Sequence, residues 1–487
     1  MSDQQDNGSG QRGALSRRAA LQAGLVAAAG VGVGVSGLGP ASASARPAWW
    51  RGHLRQPGSL PYPDLAEGTD TVPQIDHIVV LMMENHSYDN KLGMLRRPGA
   101  DGFRLGRHGL PLAWNPYANG DIQHAFHMPT TCQLTGFPSQ SWLNSHIQFD
   151  GGRNDGFVES GSGPVSMGYW DGTDQPFYYS MASIFPIGDR YFCSVLGQTY
   201  PNRRYLISAT SIGQVNDTIP ALTDYPANGT IFDRLDAASI TWKDYFSTLP
   251  TVELYPELYF KNAGTKVVPI GGPGTSSTAP TGFFADAANG TLPSFSLVEP
   301  NYDTQSEEDP QNIAVGEQFA ASVINAVMAG PGWPGTMLIW TYDEHGGYYD
   351  HVPPPPALAP DDIPPAVPAG ESTYNGFAQY GFRVPMAVIS PWARPRYVSH
   401  RVMDHTSICA LAEAKWNLPA MTYRDANASN MLHLLDLHHP AFLNPPTLAQ
   451  PLLTTDPSAL ACSTSGPGTI PPPGSVTPPG SARPPRW

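Results

Sequence analysis

Three apolar runs stand out along the chain, Ile75–Met83, Thr336–Tyr342 and Val384–Ser390, each short, continuous and bounded by polar turns. A run that is apolar at nearly every position, rather than at alternate ones, fits a strand covered on both faces, as in parallel sheets. Between them Val315, Phe319, Val323 and Val327 recur every four residues, which predicts a helix over Ala314–Met328 with one apolar stripe. Another helix is expected from Thr406 to Trp416, with Asp404 as its cap. Strands alternating with helices predict the α/β class, a three-layer α/β/α sandwich around a mainly parallel sheet.

The ends of the chain follow different patterns. Ser16-Arg17-Arg18 precedes an apolar, Ala/Gly-rich run from Leu21 to Leu38 and small residues to Ala45, the pattern of a twin-arginine signal read by the twin-arginine export machinery. Residues 1–45 are therefore read as a leader, and the remainder as secreted or cell-envelope associated. Residues 46–72 read as a linker or surface strap, 73–460 as one catalytic domain, and 461–487 as a Pro-rich disordered tail. No later apolar stretch is long enough to span a bilayer, so no transmembrane segment is expected. The four cysteines, Cys132, Cys193, Cys409 and Cys462, match no zinc-ribbon or redox spacing. One or two disulfides stay open in an oxidising compartment, with the pairing unassigned.

The formal net charge is −14, and residues 1–45 carry three arginines against two aspartates. With no basic run and no phosphate-cradling glycine loop, the chain is not expected to bind nucleic acid. Acids that cluster where apolar runs end suit divalent cations instead. The first run ends in Glu84-Asn85-His86-Ser87-Tyr88-Asp89, the second in Asp343-Glu344-His345-Gly346-Gly347. Glu84, Asp343 and Glu344, with the amide oxygen of Asn85, would make an oxygen-rich metal site. Thr199, in Gly197-Gln198-Thr199-Tyr200-Pro201-Asn202-Arg203, stands before a helix whose first amides could face an anion. It is the candidate nucleophile, with helix capping as the competing role.

Taken together and in this order, Glu84–Asp89, Thr199–Arg203 and Asp343–Gly347 resemble the bacterial phosphoesterase family of phosphatidylcholine-type phospholipases C and acid phosphatases, over roughly Ile75 to Leu437. The resemblance implies an alkaline-phosphatase-like fold over 73–460. It implies one divalent metal ion, whether calcium, zinc, magnesium or manganese, on Glu84, Asn85, Asp343, Glu344 and Thr199, and a phosphoenzyme on Thr199. It also makes His146, His351 and His405 candidate catalytic residues, and Asn202, Arg203, Tyr169 and Trp170 candidate substrate contacts. Where the family usually shows His-Pro, this chain has Asp309-Pro310, which puts leaving-group protonation on another residue unless the Asp309 carboxyl is raised. Threonine at the nucleophile position resembles the phospholipase C branch and implies a phospholipid substrate. A phosphomonoesterase of the acid phosphatase type is the alternative, and a non-catalytic secreted scaffold of the same fold is the second.

Overall fold

The computed structural model describes residues 54–132, 138–272, 282–452 and 475–479. Its centre is an eight-stranded sheet built from β1 (His77–Met83), β2 (Ile187–Gly188), β3 (Trp242–Phe246), β4 (Val267–Pro269), β5 (Phe295–Val298), β6 (Thr336–Tyr342), β7 (Met386–Ile389) and β8 (Val398–Ser399). The spatial order is β8-β2-β7-β6-β1-β5-β3-β4. Pairing is parallel from β6 through β1, β5 and β3 to β4, while β7 runs antiparallel to both β6 and β2. The α/β class with a mainly parallel sheet is thus what the chain adopts, with β7 the departure. A four-residue apolar strand reads the same in either direction, so its polarity comes only from the connections.

β6 is buried at all seven positions and β1 at its last six, which requires cover on both faces. Two groups of helices supply it. In one, Pro176–Ile184 (α1) and Phe283–Asn289 pack on Ile313–Ala329, and in the other Thr199–Ser208 (α2) packs on Thr406–Trp416 (α3). The helix Ile313–Ala329 buries Phe319, Val323 and Val327 as its periodicity predicts, together with Ala320 and Ile324. Each of the larger side chains among them, fully buried, contributes about 1.5–3 kcal/mol.

One register positions the site. Met83, the last residue of β1, lies beside Tyr342, the last of β6, so Glu84 and Asp343 leave the sheet side by side. β5 adds a third exit, since Val298 pairs with Leu81 and Glu299 follows it.

The expected strap is anchored over its described part. Gly58 N–H donates to Ala420 O at 2.7 Å and Tyr62 N–H to Asn417 Oδ1 at 2.9 Å. Of the expected tail only residues 475–479 are described, and there Val476 and Thr477 pair antiparallel with Gln123 and Ile122, because an extended backbone can complete a sheet edge whatever its side chains; the rest of the tail lies outside the described residues. The predicted leader lies outside the described residues. No helix among the described residues is long and apolar enough to cross a membrane.

Candidate active site

Beyond β1 and β6 the backbone is held by its own acids. Asp343 N–H donates to Met83 O at 3.2 Å, and Asp343 Oδ1 accepts the N–H groups of Asn85 (3.1 Å) and Glu344 (2.7 Å). Asn85 adopts φ 66°, a left-handed conformation that asparagine tolerates better than most residues. Gly346, at φ 64°, must be glycine, because a Cβ there would stand 1.9 Å from Asn85 O. Its N–H donates to Glu344 Oε2 at 2.6 Å. Glu344 Oε1 and Asn85 Oδ1 are buried with no hydrogen-bond partner.

Thr199 opens α2, but Gln198 occupies the cap position and its own side chain makes no cap hydrogen bond. The Thr199 hydroxyl is not capping anything: the residue is 1% exposed and Oγ1 has no hydrogen-bond partner. That removes the structural role which competed with nucleophile. Asp217 Oδ1 accepts the next N–H, that of Tyr200, at 2.8 Å. Thr199 lines a cavity of about 420 Å³ with Glu84, Tyr200, Arg203, Glu253 and Tyr302. Arg203 reaches from α2 to the strand ends, placing Nε 2.9 Å from Asp343 Oδ2 and Nη1 2.9 Å from Glu299 Oε2. Its guanidinium lies 5.0 Å from the Tyr302 ring centre.

Arg203 alone does not balance Glu84, Glu299, Asp343 and Glu344, all fully buried. Burial, together with the charge of Glu84 and against the pull of Arg203, pushes the Asp343 carboxyl up to about 7. Burial and then Asp343 hold Glu344 well above the usual carboxylate range. Hard oxygens in excess of positive charge, three of them unpartnered on Asn85, Thr199 and Glu344, are what a divalent cation requires. The donor set therefore fits the expected metal. The carboxylates need the amide and hydroxyl oxygens to complete it. Among the Asp, Glu, His and Cys of the described residues alone, the triplets whose ligand atoms fall within 4.8 Å are elsewhere, at Asp89–Asp350–His351 and His127–Asp171–Asp174.

Residues 75–419 match the model of the phosphoesterase family. The chain belongs to that family. Among curated relatives, phospholipase C B of Mycobacterium tuberculosis is 31% identical over 432 residues, covering 80% of this chain and 82% of the relative. Non-specific phospholipase C1 of Arabidopsis thaliana is 30% identical over 383 residues, covering 72% and 69%. Among solved structures, a Vibrio parahaemolyticus protein of the alkaline phosphatase superfamily is similar over 76% of this chain and 72% of its own, with 9% identity and a TM-score of 0.36. This phosphoesterase is a hydrolase acting on phosphoric ester bonds.

The remaining expected residues of the phosphoesterase are placed as follows. Asn202 faces its own loop: Oδ1 accepts Val195 N–H at 3.1 Å, and Nδ2 donates to Gly197 O (3.1 Å) and Gln198 O (3.0 Å). It shapes the turn before Thr199 rather than meeting substrate. Trp170 is fully buried, donates Nε1–H to Thr130 O at 2.8 Å and packs on His86 and Tyr348, while Tyr169 is 2% exposed. Both belong to packing, away from the cavity wall. His146 stacks on Tyr374 at 3.8 Å, its Nδ1 is 2.7 Å from Trp142 O, and burial pushes it down to about 4; it does not line the cavity. His351 lies in the Asp89–Asp350–Arg383 cluster, with Nδ1 2.7 Å from Asp89 Oδ2. His405 is buried with Nε2 2.6 Å from Asp343 O and Nδ1 3.1 Å from the Tyr191 hydroxyl. Donating to a carbonyl and accepting from a phenol, it is neutral and holds the Asp343 backbone in place.

Three residues near the site were not anticipated. Glu299 follows β5 as Glu84 follows β1, so the same strand-end rule could have found it. Asp217 comes from a loop that folds back on α2, with no local signal. Gln148 Oε1 accepts from His345 Nε2–H at 2.7 Å and so supports the loop beside Glu344. At the departure from the family, the Tyr348 hydroxyl donates to Asp309 Oδ1 and Oδ2 at 3.1 and 3.2 Å, and burial raises that carboxyl far above its ordinary value. Asp309 does not line the cavity with Thr199.

Proposed function

We propose that this phosphoesterase is an exported phospholipase C that cleaves phosphatidylcholine-like lipids through a phosphoenzyme on Thr199, with one divalent cation held by Glu84, Asn85, Thr199, Asp343 and Glu344. The observation that carries the reading is the buried, unpartnered Thr199 hydroxyl on the wall of a cavity rich in carboxylates. The cation would lower the hydroxyl pKa and offset charge on the phosphoryl oxygens. Thr199 Oγ would form the new bond to phosphorus while the bond from phosphorus to the leaving alcohol breaks, and water would then attack that phosphorus and break its bond to Thr199 Oγ, releasing the phosphoryl product and the threonine hydroxyl. Arg203 keeps Asp343 and Glu299 apart in charge and stands on the cavity wall beside the phosphoryl position. Glu253, half-buried on the same wall and with its carboxyl raised by burial, is the group placed to protonate the leaving alcohol.

Pro220, Leu249, Pro250 and Leu254 form the apolar side of the cavity, which suits the glyceride part of a lipid better than a small polar monoester. The phospholipase names of the relatives support the same choice. For export, the disulfide-bonded state of Cys132 supports an oxidising compartment beside the Arg17-Arg18 signal. Cell fractionation of a double Arg17→Lys, Arg18→Lys chain, retained in the cytoplasm where the wild type is not, tests that part.

The activity test sets nitrophenyl phosphorylcholine beside nitrophenyl phosphate, with and without chelator. The diester is expected to be preferred, chelation to abolish turnover, and Thr199→Ala to lower it by about 10³-fold or more with an unchanged melting temperature. Preference for the monoester would make the protein a phosphatase, and silence on both substrates a scaffold.

A further inference from the structure

A second basic feature lies on the far edge of the sheet. Arg97 is only 8% exposed, and its guanidinium meets carbonyls alone: Nη1 donates to Phe185 O at 2.7 Å and to Ala182 O, and Nη2 to Tyr397 O at 2.9 Å. Its Nε has no hydrogen-bond partner, and no carboxylate among the described residues lies within 4.0 Å of it. The carbonyls at the C-terminus of α1 offset part of the charge, yet burial still pushes the guanidinium down to about 10, with Arg396 adding repulsion. Beside it Arg96 and Arg396 are exposed, and neither takes part in an ion pair among the described residues. In a chain of net charge −14, a group of arginines with no carboxylate within 4.0 Å among the described residues is conspicuous.

Two turns bring these residues together. Arg396 N–H donates to Ile184 O at 2.9 Å, and a Cβ at Gly99 would lie 4.0 Å from the Val398 side chain, so the 96–99 turn and the 394–398 turn meet at the end of α1. On the side of the first turn lies a pocket of about 580 Å³ lined by Leu95, Arg96, Arg97, Ala100 and Phe103, with Arg396 near enough to repel Arg97 but outside the pocket wall. Phe185 and Tyr397 precede β2 and β8, which run parallel to β6 through two antiparallel pairings. Arg97, bonded to both carbonyls, therefore sits at the N-terminal edge of those strands, whereas Thr199 lies beyond the C-terminal ends of β1 and β6.

We propose that this pocket is a second anion site, binding a phosphate group through Arg96 and Arg97, with Arg396 adding positive charge beside it, independently of hydrolysis at Thr199. Guanidinium forks match tetrahedral phosphate oxygens, and a buried guanidinium facing only dipoles gains most from a full negative charge. The phosphate could be a lipid headgroup or a free anion, and the two are separable by experiment. The full-length protein and an Arg96→Gln, Arg396→Gln double variant are titrated calorimetrically with inorganic phosphate. Both are then floated with vesicles of phosphatidylcholine containing phosphatidic acid, and with phosphatidylcholine alone. Both substitutions are at exposed positions, so folding is retained, and Arg97→Gln serves as a second variant whose melting curve is recorded.

Any phosphate bound near Thr199 is common to the wild type and the double variant, so their difference reads the second site. The expected result is a loss of at least tenfold in affinity for one or both probes in the double variant, with unchanged turnover of soluble nitrophenyl phosphorylcholine. Loss on acidic vesicles alone assigns the lipid headgroup, and loss on inorganic phosphate alone the free anion. Equal binding by wild type and double variant to both probes, or binding by neither protein, overturns the proposal.

Discussion

Asp89 and Asp350 are as deeply buried as Asp343 and Glu344, but their oxygens are all engaged. Arg383 Nη2 and Nε donate to Asp89 Oδ1 (3.1 Å) and Asp350 Oδ1 (2.8 Å), His351 N–H and Nδ1 both reach Asp89 Oδ2 at 2.7 Å, and Asp89 N–H donates to Asp350 Oδ2 at 3.3 Å. Judged by spacing alone, Asp89, Asp350 and His351 make the tighter set of metal donors. Judged by satisfaction, they form a closed strut with its own cation, whereas the strand-end site leaves oxygens on Asn85, Thr199 and Glu344 without partners. Buried acids crossed by an arginine hold structure together; buried acids left with spare lone pairs await a ligand.

Breaking each region should therefore fail in a different way. Glu344→Gln is expected to lower kcat/KM on nitrophenyl phosphorylcholine by about 10³-fold, near 4 kcal/mol, and to strip the bound metal measured by elemental analysis. Compared as metal-free proteins, this variant and the wild type should melt at similar temperatures, because glutamine keeps the oxygen that accepts Gly346 N–H. A variant that keeps both metal and rate removes Glu344 from the site. Arg383→Met should do the reverse. It strands two buried carboxylates, at a cost of about 3–5 kcal/mol in urea unfolding, while the molecules that remain folded keep their turnover. Equal activity losses in the two variants would erase the distinction.

Much of this was legible in the sequence, for a local reason. An apolar run that stops at an acid marks both a strand and the place where its polar chemistry begins, so Thr336–Tyr342, Glu84, Asp343 and Glu344 could be read directly. What could not be read depends on where side chains turn in three dimensions. Trp170 and Asn202 stand in motifs that suggest substrate contact, yet one points into packing and the other into its own loop. Asp217 joins the site only because its loop folds back on α2. The pairing of Val476 with Gln123 rests on backbone hydrogen bonds, to which a Pro-rich composition is blind.

A smaller perturbation tests how closely the site depends on its backbone. Gly346→Ala combines a φ of 64° with a Cβ 1.9 Å from Asn85 O, so the loop must shift. A loss of about 1–3 kcal/mol in stability is expected, with a fall in kcat because Asn85 moves with it. Full activity in this variant would show that the left-handed Asn85 backbone is not what aims its amide oxygen.

The smallest effect concerns the strut. Burial alone would lower the His351 imidazole, but Asp89 and Asp101 outweigh it and push it up to about 10, against about 6.5 in an unfolded chain. A group raised on folding stabilises while it is protonated in the native state. The contribution is complete below about pH 6.5, declines as pH rises, and is gone once pH has passed through about 10. Because the His351 side chain is 29% exposed, solvent screening holds the effect to about 1–2 kcal/mol. His351→Asn cannot take up that proton, so its unfolding free energy should be flatter than the wild type's between pH 6.5 and 10. Parallel curves would mean that Arg383 alone neutralises Asp89 and Asp350, and that the imidazolium adds nothing to the closed network.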